Sequence, residues 1–134
     1  MTRYLLDTNH LSAYLDRNSS LESRIDAGLL AGDRFGITLP VLCEYRAGIL
    51  AGRRFQRNLM RLHAAMEILR LWPADQNTAV EFADLFQELR KAGRVLSQFD
   101  LLIAAAARQH GLILLTADRD FQSVSRLRVE NWIA

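Results

Sequence analysis

The sequence predicts an α/β fold around a short, mainly parallel sheet. Three observations carry that expectation. Tyr4-Leu5-Leu6 and Leu112-Ile113-Leu114-Leu115 are continuous apolar runs, the pattern of strands buried on both faces. Each run ends in a hydroxyl residue and acids, Asp7-Thr8-Asn9 in one case and Thr116-Ala117-Asp118-Arg119-Asp120 in the other. Between them lie stretches with apolar residues three and four apart, the period of helices that pack by one face.

A chain of 134 residues suits one domain with a sizeable core, and no linker, repeat or low-complexity segment divides it. The expected unit is a single domain, 1–134. Half the residues are hydrophobic and 24% are charged, an ordinary globular balance. Cys43 is the single cysteine, so no internal disulfide forms and a reducing cytoplasm is the expected setting. The few apolar residues before Asp7 are too short for a signal peptide, and Leu101 to Ala107 is too short to span a bilayer. The net charge of +2 weakly favours an anionic partner. Lys91 is the single lysine among 17 basic residues, and arginine suits bidentate phosphate contacts.

In chain order, Tyr4 to Leu6 form a strand and Leu11 to Leu15 continue a helix that Asp7 or Thr8 can cap. Ser19 or Ser20 caps a second helix with Leu21, Ile25, Leu29 and Leu30 as its apolar stripe, ended by Gly32-Asp33. Phe35, Ile37 and Thr38 read as a strand, and Pro40 sits in the first turn of the next helix. Arg53 to Leu69 reads as one long amphipathic helix with a seam of Phe55, Leu59, Leu62, Met66 and Leu69. Glu67 to Trp72 either closes it or forms a short strand with Ile68 and Leu69, and Pro73 ends it. Asp75 to Asn77 caps a helix with Ala79, Phe82, Ala83, Phe86 and Leu89 as its core face, ended by Gly93. Ser97 with Asp100 resembles a capping box opening a helix that is apolar almost all round through Ala107. Arg126 to Glu130 alternates like an edge strand, and Trp132 is expected to pack on the body.

Several side chains carry chemistry in this reading. Val41, Glu44, Tyr45 and Gly48 share one helix face, so Glu44 lies among apolar or small neighbours. Such a carboxylate either pairs with an arginine such as Arg46 or faces a metal or other acids. Arg53, Arg57 and Arg61 form a basic stripe that is either a solvated face or a contact for RNA or an acidic partner.

Asp7 and Asp118 follow the two clearest strands, Glu44 opens a helix after a third, and Asp100 opens a buried helix. Taken one at a time, each can be a helix cap. Parallel topology, however, sends strand ends and helix starts to one edge of a sheet, where ligands bind. Four carboxylates there repel one another unless a divalent cation neutralises them. All-oxygen ligands select Mg²⁺ or Mn²⁺, and no histidine–cysteine cluster points to zinc. Paired ions of this kind are the standard apparatus for in-line hydrolysis of a phosphodiester.

Four segments in order, Leu6-Asp7-Thr8-Asn9, Leu42-Cys43-Glu44-Tyr45-Arg46-Ala47-Gly48, Phe99-Asp100-Leu101-Leu102-Ile103-Ala104-Ala105 and Thr116-Ala117-Asp118-Arg119-Asp120-Phe121, resemble PIN-domain ribonucleases. Within that family the chain is similar to the VapC toxins of bacterial toxin–antitoxin pairs, including at the closing Leu127-Arg128-Val129-Glu130-Asn131-Trp132. The resemblance implies a PIN-like three-layer α/β/α fold with a short central, mainly parallel sheet. It implies a Mg²⁺-dependent (or Mn²⁺-dependent) endoribonuclease, a homodimer, and inhibition by a VapB-type antitoxin. Carried over, Asp7, Glu44, Asp100 and Asp118 match the metal-binding acids. Thr8 or Asn9 and Thr116 match positions that orient acids or water. For this last acid Asp120 is the alternative to Asp118, or its partner, because family members vary in this loop. Arg46 and the Arg53 stripe then contact RNA, antitoxin or neither. Residues 50–77 are expected to carry antitoxin contacts and dimer packing. Transfer RNA and ribosomal RNA are both substrates within the family.

Two rivals compete. A haloacid-dehalogenase-type phosphatase also begins from a strand and an aspartate, but it needs a second acid where Asn9 stands and a downstream lysine. A non-catalytic RNA- or protein-binding module would keep the fold and use the acids as caps.

Overall fold

The first strand, β1 (Arg3–Leu6), lies at the middle of the sheet. The computed structural model describes residues 1–133, Ser19 by its backbone alone. Asp7 caps α1 (Thr8–Leu15), and α2 (Ser19–Leu30) follows. The cap of α2 is Asn18, whose side chain accepts from Leu21 N–H, rather than Ser19 or Ser20. An asparagine one residue upstream offers the same acceptor, so composition alone does not choose between them. The predicted stripe holds at Leu21 and Ile25, but Leu30 is 91% exposed. It lies at the final turn, where the chain is already leaving the body.

Next come β2 (Arg34–Ile37) and α3 (Leu39–Leu50), which has proline in its first turn. The predicted long helix is shorter than expected: α4 spans Phe55–Ala65, a turn intervenes, and β3 is Arg70–Leu71. Leu62 and Leu69 are buried all the same, so the seam persists across the helix end. Asp75 and Thr78 form a capping box at the start of α5 (Gln76–Lys91). Its inward face is Thr78, Leu85 and Leu89, with Phe82 packed beside them, whereas Phe86 is 48% exposed. The face is turned by about one residue from the predicted one. Alanines at 79 and 83 fit either side of a helix and so mark no face.

Ser97 caps α6 (Gln98–His110), which ends at Gly111 with φ of 65°. The last strands are β4 (Ile113–Leu115) and β5 (Val129–Glu130), separated by a 3-10 turn at Arg119–Ser123. The predicted edge strand over Arg126–Glu130 is thus two residues long.

All four pairings are parallel and the strand order is β3-β2-β1-β4-β5. The order reverses direction at β1. Right-handed crossovers therefore send the helices after β1 and β2 to one face and those after β3 to the other. This is the expected α/β/α layering. The carboxyl ends of β1 and β4 lie side by side, Leu6 opposite Leu115. That is the switch point of the sheet, where a crevice opens.

Two contacts explain sequence choices near this edge. A Cβ on Gly36 would stand 2.5 Å from the Arg70 carbonyl and 2.6 Å from the Trp72 indole nitrogen. Glycine thus lets β3 close on β2 while Trp72 Nε1–H donates to the Tyr4 carbonyl at 3.1 Å. At the C-terminus, Trp132 is buried against Tyr4 (ring centroids 4.9 Å apart) and Phe35 (5.7 Å). Arg24 lies 4.0 Å over its ring, closing the stack.

Candidate active site

Asp7 sits where β1 turns into α1. Its backbone N–H donates to Leu115 O at 3.1 Å, continuing the β1–β4 ladder one residue past the strand. Its Oδ1 accepts from His10 N–H at 2.8 Å, so it is a cap. It is also 7% exposed and has company, which a cap alone does not need.

That company comes from three other elements. Burial raises the Asp100 carboxyl above its usual range, the Ser97 hydroxyl pulls it back, and the charges of Glu44, Asp118 and Asp7 each push it up. Four acids from the end of β1, from α3, from α6 and from the segment after β4 therefore share one electrostatic field. The charges that raise Asp100 come from 56, 18 and 93 residues away along the chain. Only the parallel topology brings them together.

Each acid is oriented by a neighbour. Thr8 Oγ1–H donates to Glu44 Oε1 at 3.0 Å, so Glu44 is held by a hydroxyl rather than by Arg46 or another guanidinium. Asp100 N–H donates to Ser97 Oγ at 3.1 Å, which fixes the first turn of α6. Thr116 Oγ1 accepts from Asp118 N–H at 3.0 Å. Asp118 Oδ1 in turn accepts from Asp120 N–H at 2.9 Å. Asp120 lines a separate hollow with Leu89, Arg94 and Leu96. Asn9 is exposed, and its side chain makes no hydrogen bond among the described residues.

The predicted face through Val41, Glu44, Tyr45 and Gly48 is buried at Val41 and Tyr45, half-buried at Glu44 and open at Gly48. Glu44 thus stands at the border of core and crevice. The arginine stripe lies elsewhere. Arg57 and Arg61 line a groove with Tyr14, Leu15 and Glu22, and Arg61 Nη1 donates to Leu15 O at 3.4 Å. Leu15 ends α1, roughly 10 Å along the helix from Thr8 at 1.5 Å per residue. Arg46 and Arg53 are exposed.

Among the described residues, no three His, Cys, Asp or Glu side chains are gathered tightly enough to hold an ion as they stand. The acids share a field without meeting at a point, as unneutralised like charges do. Their all-oxygen donor set fits a hard divalent cation in kind and charge.

Residues 4–127 match the PIN domain. Over 134 residues the chain is 30% identical to ribonuclease VapC2 of Haemophilus influenzae, with 99% of this chain and 100% of that protein covered. The chain belongs to the VapC ribonucleases of the PIN-domain family. A second VapC relative, named tRNA(fMet)-specific endonuclease, comes from Shigella flexneri and is 29% identical over 98% of this chain and 99% of its own. In fold, the chain superposes on VapBC2 of Rickettsia felis, crystallised with a DNA fragment from its promoter. The TM-score is 0.89 at 23% identity, with 98% of this chain and 99% of that one covered.

One residue of this VapC site escaped sequence reading. His10 is fully buried, with Nδ1 3.1 Å from Asp7 Oδ1. The signal was present in the spacing, because a side chain three residues into a helix can reach back to the cap. The expectation of a terminal tryptophan packed on the body also holds, and it is this segment that reaches His10.

Proposed function

We propose that the chain is the endoribonuclease toxin of a VapBC pair, with Asp7, Glu44, Asp100 and Asp118 holding Mg²⁺ or Mn²⁺. The observation that carries this reading is the convergence of charge on a buried Asp100, whose carboxyl is raised first by burial and then by acids from other elements. Beyond burial, three acids from other elements raise the carboxyl of a fourth, and helix capping alone does not require them to be neighbours. A divalent cation bound there would relieve that repulsion, draw a phosphodiester into the crevice and lower the pKa of an attacking water.

The chain's own residues prepare the site. Asp7 and Asp118 stand at adjacent strand ends, and the sheet edge holds them apart at fixed spacing. Thr8 and Thr116 orient Glu44 and the Asp118 loop through the bonds described above. Asp118 is the fourth acid of this proposal in preference to Asp120, because its charge acts on Asp100 while Asp120 lines another hollow. We assign residues 1–134 to a single domain.

Transfer RNA is the first substrate to test, given the name of the Shigella relative. A VapB-type antitoxin is the proposed partner, since the structural neighbours include VapBC complexes. A homodimer that joins the antitoxin in a larger assembly, working in the cytoplasm, completes the reading. No helix among the described residues is long and apolar enough to cross a membrane.

Purified protein incubated with tRNA and rRNA, with Mg²⁺ and then with EDTA, tests the proposal. Cleavage that needs the cation and stops with EDTA is the expected result. Cleavage indifferent to EDTA overturns the metal assignment. Release of phosphate from small monoesters with intact RNA would mark a phosphatase, and binding without cleavage a non-catalytic module.

A further inference from the structure

The geometry points to His10 as a positioning residue that fixes the Asp7 carboxylate and ties it to the C-terminal segment. His10 is fully buried in the first turns of α1. Its Nε2 accepts the backbone N–H of Trp132 at 3.1 Å, across 122 residues of sequence. A backbone amide only donates, so Nε2 carries the lone pair and the ring proton sits on Nδ1. That proton is donated to Asp7 Oδ1 at 3.1 Å. The backbone N–H of His10 donates to the same oxygen at 2.8 Å. Oδ1 therefore takes two donors from one residue, while Oδ2 takes none among the described residues.

This asymmetry sets the carboxylate plane and reserves Oδ2 for a ligand. The side chain of Asp7 is 10% exposed, and its unpaired Oδ2 is not among the fully enclosed unpartnered oxygens of the described residues, so that oxygen still opens to the crevice. Trp132 is itself held by Tyr4, Phe35 and Arg24, which makes the far end of the chain the fixed anchor of the relay. Outer partners of this kind commonly change metal affinity or rate by about 10- to 100-fold when removed. The inference rests on the proposed metal role of Asp7.

Two polar variants separate donation from space-filling. The amide nitrogen of His10→Asn stands near the ring Nδ1 and keeps the donor to Asp7. The longer His10→Gln reaches toward Trp132 N–H and leaves Asp7 without a side-chain donor. Mn²⁺ binding followed by calorimetry or electron paramagnetic resonance, with thermal melts and steady-state cleavage beside it, gives independent readouts. His10→Asn, which keeps the donor to Asp7 but loses the acceptor for Trp132 N–H, is expected to fall between wild type and His10→Gln in Mn²⁺ affinity and kcat. His10→Gln is expected to lose about tenfold or more in both, with KM for RNA unchanged, in line with outer-partner losses. Equal Mn²⁺ affinity in the two folded variants, or the reverse order, overturns the positioning role. Asp7→Asn is the control: if it binds Mn²⁺ as wild type does, the metal-site reading fails and this inference with it. If only Asp7→Asn loses the ion, the inference alone fails.

Discussion

The hydroxyl of Thr8 donates to Glu44 Oε1 over 3.0 Å and so ties the start of α1 to α3. The bond does two things. It satisfies a half-buried carboxylate that has no cationic partner among the described ion pairs, and it sets where that carboxylate faces. Thr8→Val keeps the shape and deletes the donor. The expected cost in stability is about 1 kcal/mol, the usual net worth of such a bond. The expected cost in kcat is larger, about tenfold or more, as for outer partners of metal ligands. Thermal melts against cleavage rates check the split; equal losses in both would make Thr8 a structural residue only.

Removal of single acids distinguishes ligand from cap. Asp7→Asn keeps an oxygen acceptor for His10 N–H, so the helix cap survives. The charge does not survive, and RNA cleavage is expected to fall below detection while circular dichroism stays native. At the β4 end, Asp118→Asn is expected to reduce cleavage at least tenfold more than Asp120→Asn, because the Asp118 charge acts on Asp100. Side-by-side rates of the two variants decide the fourth acid.

Asp100 links the site to stability. Burial first, and then Glu44, Asp118 and Asp7, raise its carboxyl above the ordinary value of 3.8. In an unfolded chain it would ionise more easily. Below pH 3.8 the group is protonated in both states and imposes no penalty on folding. As pH rises through the higher folded value, the native state loses stability. Metal-free Asp100→Asn is therefore expected to melt above wild type at pH 7, with the gap closing in acid. Mg²⁺ should raise the melting temperature of wild type and leave that of the variant nearly unchanged. A variant that melts lower than wild type at pH 7 without metal would contradict the repulsion.

A second cluster serves stability with the opposite sign. The Arg108 guanidinium, with a side chain 1% exposed, donates to Glu81 Oε2 at 3.2 Å and to Glu88 Oε2 at 3.0 Å. The hydrogen bond from Arg108 is the main reason the Glu88 carboxyl is lowered from 4.5 to about 2; burial opposes it and Ser125 assists. The stabilisation is complete above pH 4.5 and is lost as pH falls toward about 2. Glu88→Gln is expected to be less stable than wild type at pH 7 and equal to it near pH 2. Urea midpoints across that range measure it. Glu88 is partly exposed, so added salt should narrow the difference.

Much of this was legible in the chain. The apolar runs at 4–6 and 112–115 need burial on both faces, and only a parallel sheet covered by helices supplies it. The acids at 7, 44, 100 and 118 and the order of their motifs carried the family, because residue type and sequence order are properties of the chain itself. Element ends were less legible. Leu30 and Phe86 look like core residues by type and spacing, yet they face outward. Burial depends on what packs opposite, and a helix period states only that one face is apolar, with slack of about one residue where alanines flank it.

What only tertiary structure decided are the relationships across the chain. Thr8 rather than an arginine holds Glu44, the charges of Glu44, Asp118 and Asp7 converge on Asp100, and Trp132 reaches Asp7 through His10. The physical reason is range. Hydrophobic periodicity acts through near neighbours and is written locally. A hydrogen bond or a charge pair between distant segments exists only once the backbone has brought its two ends together.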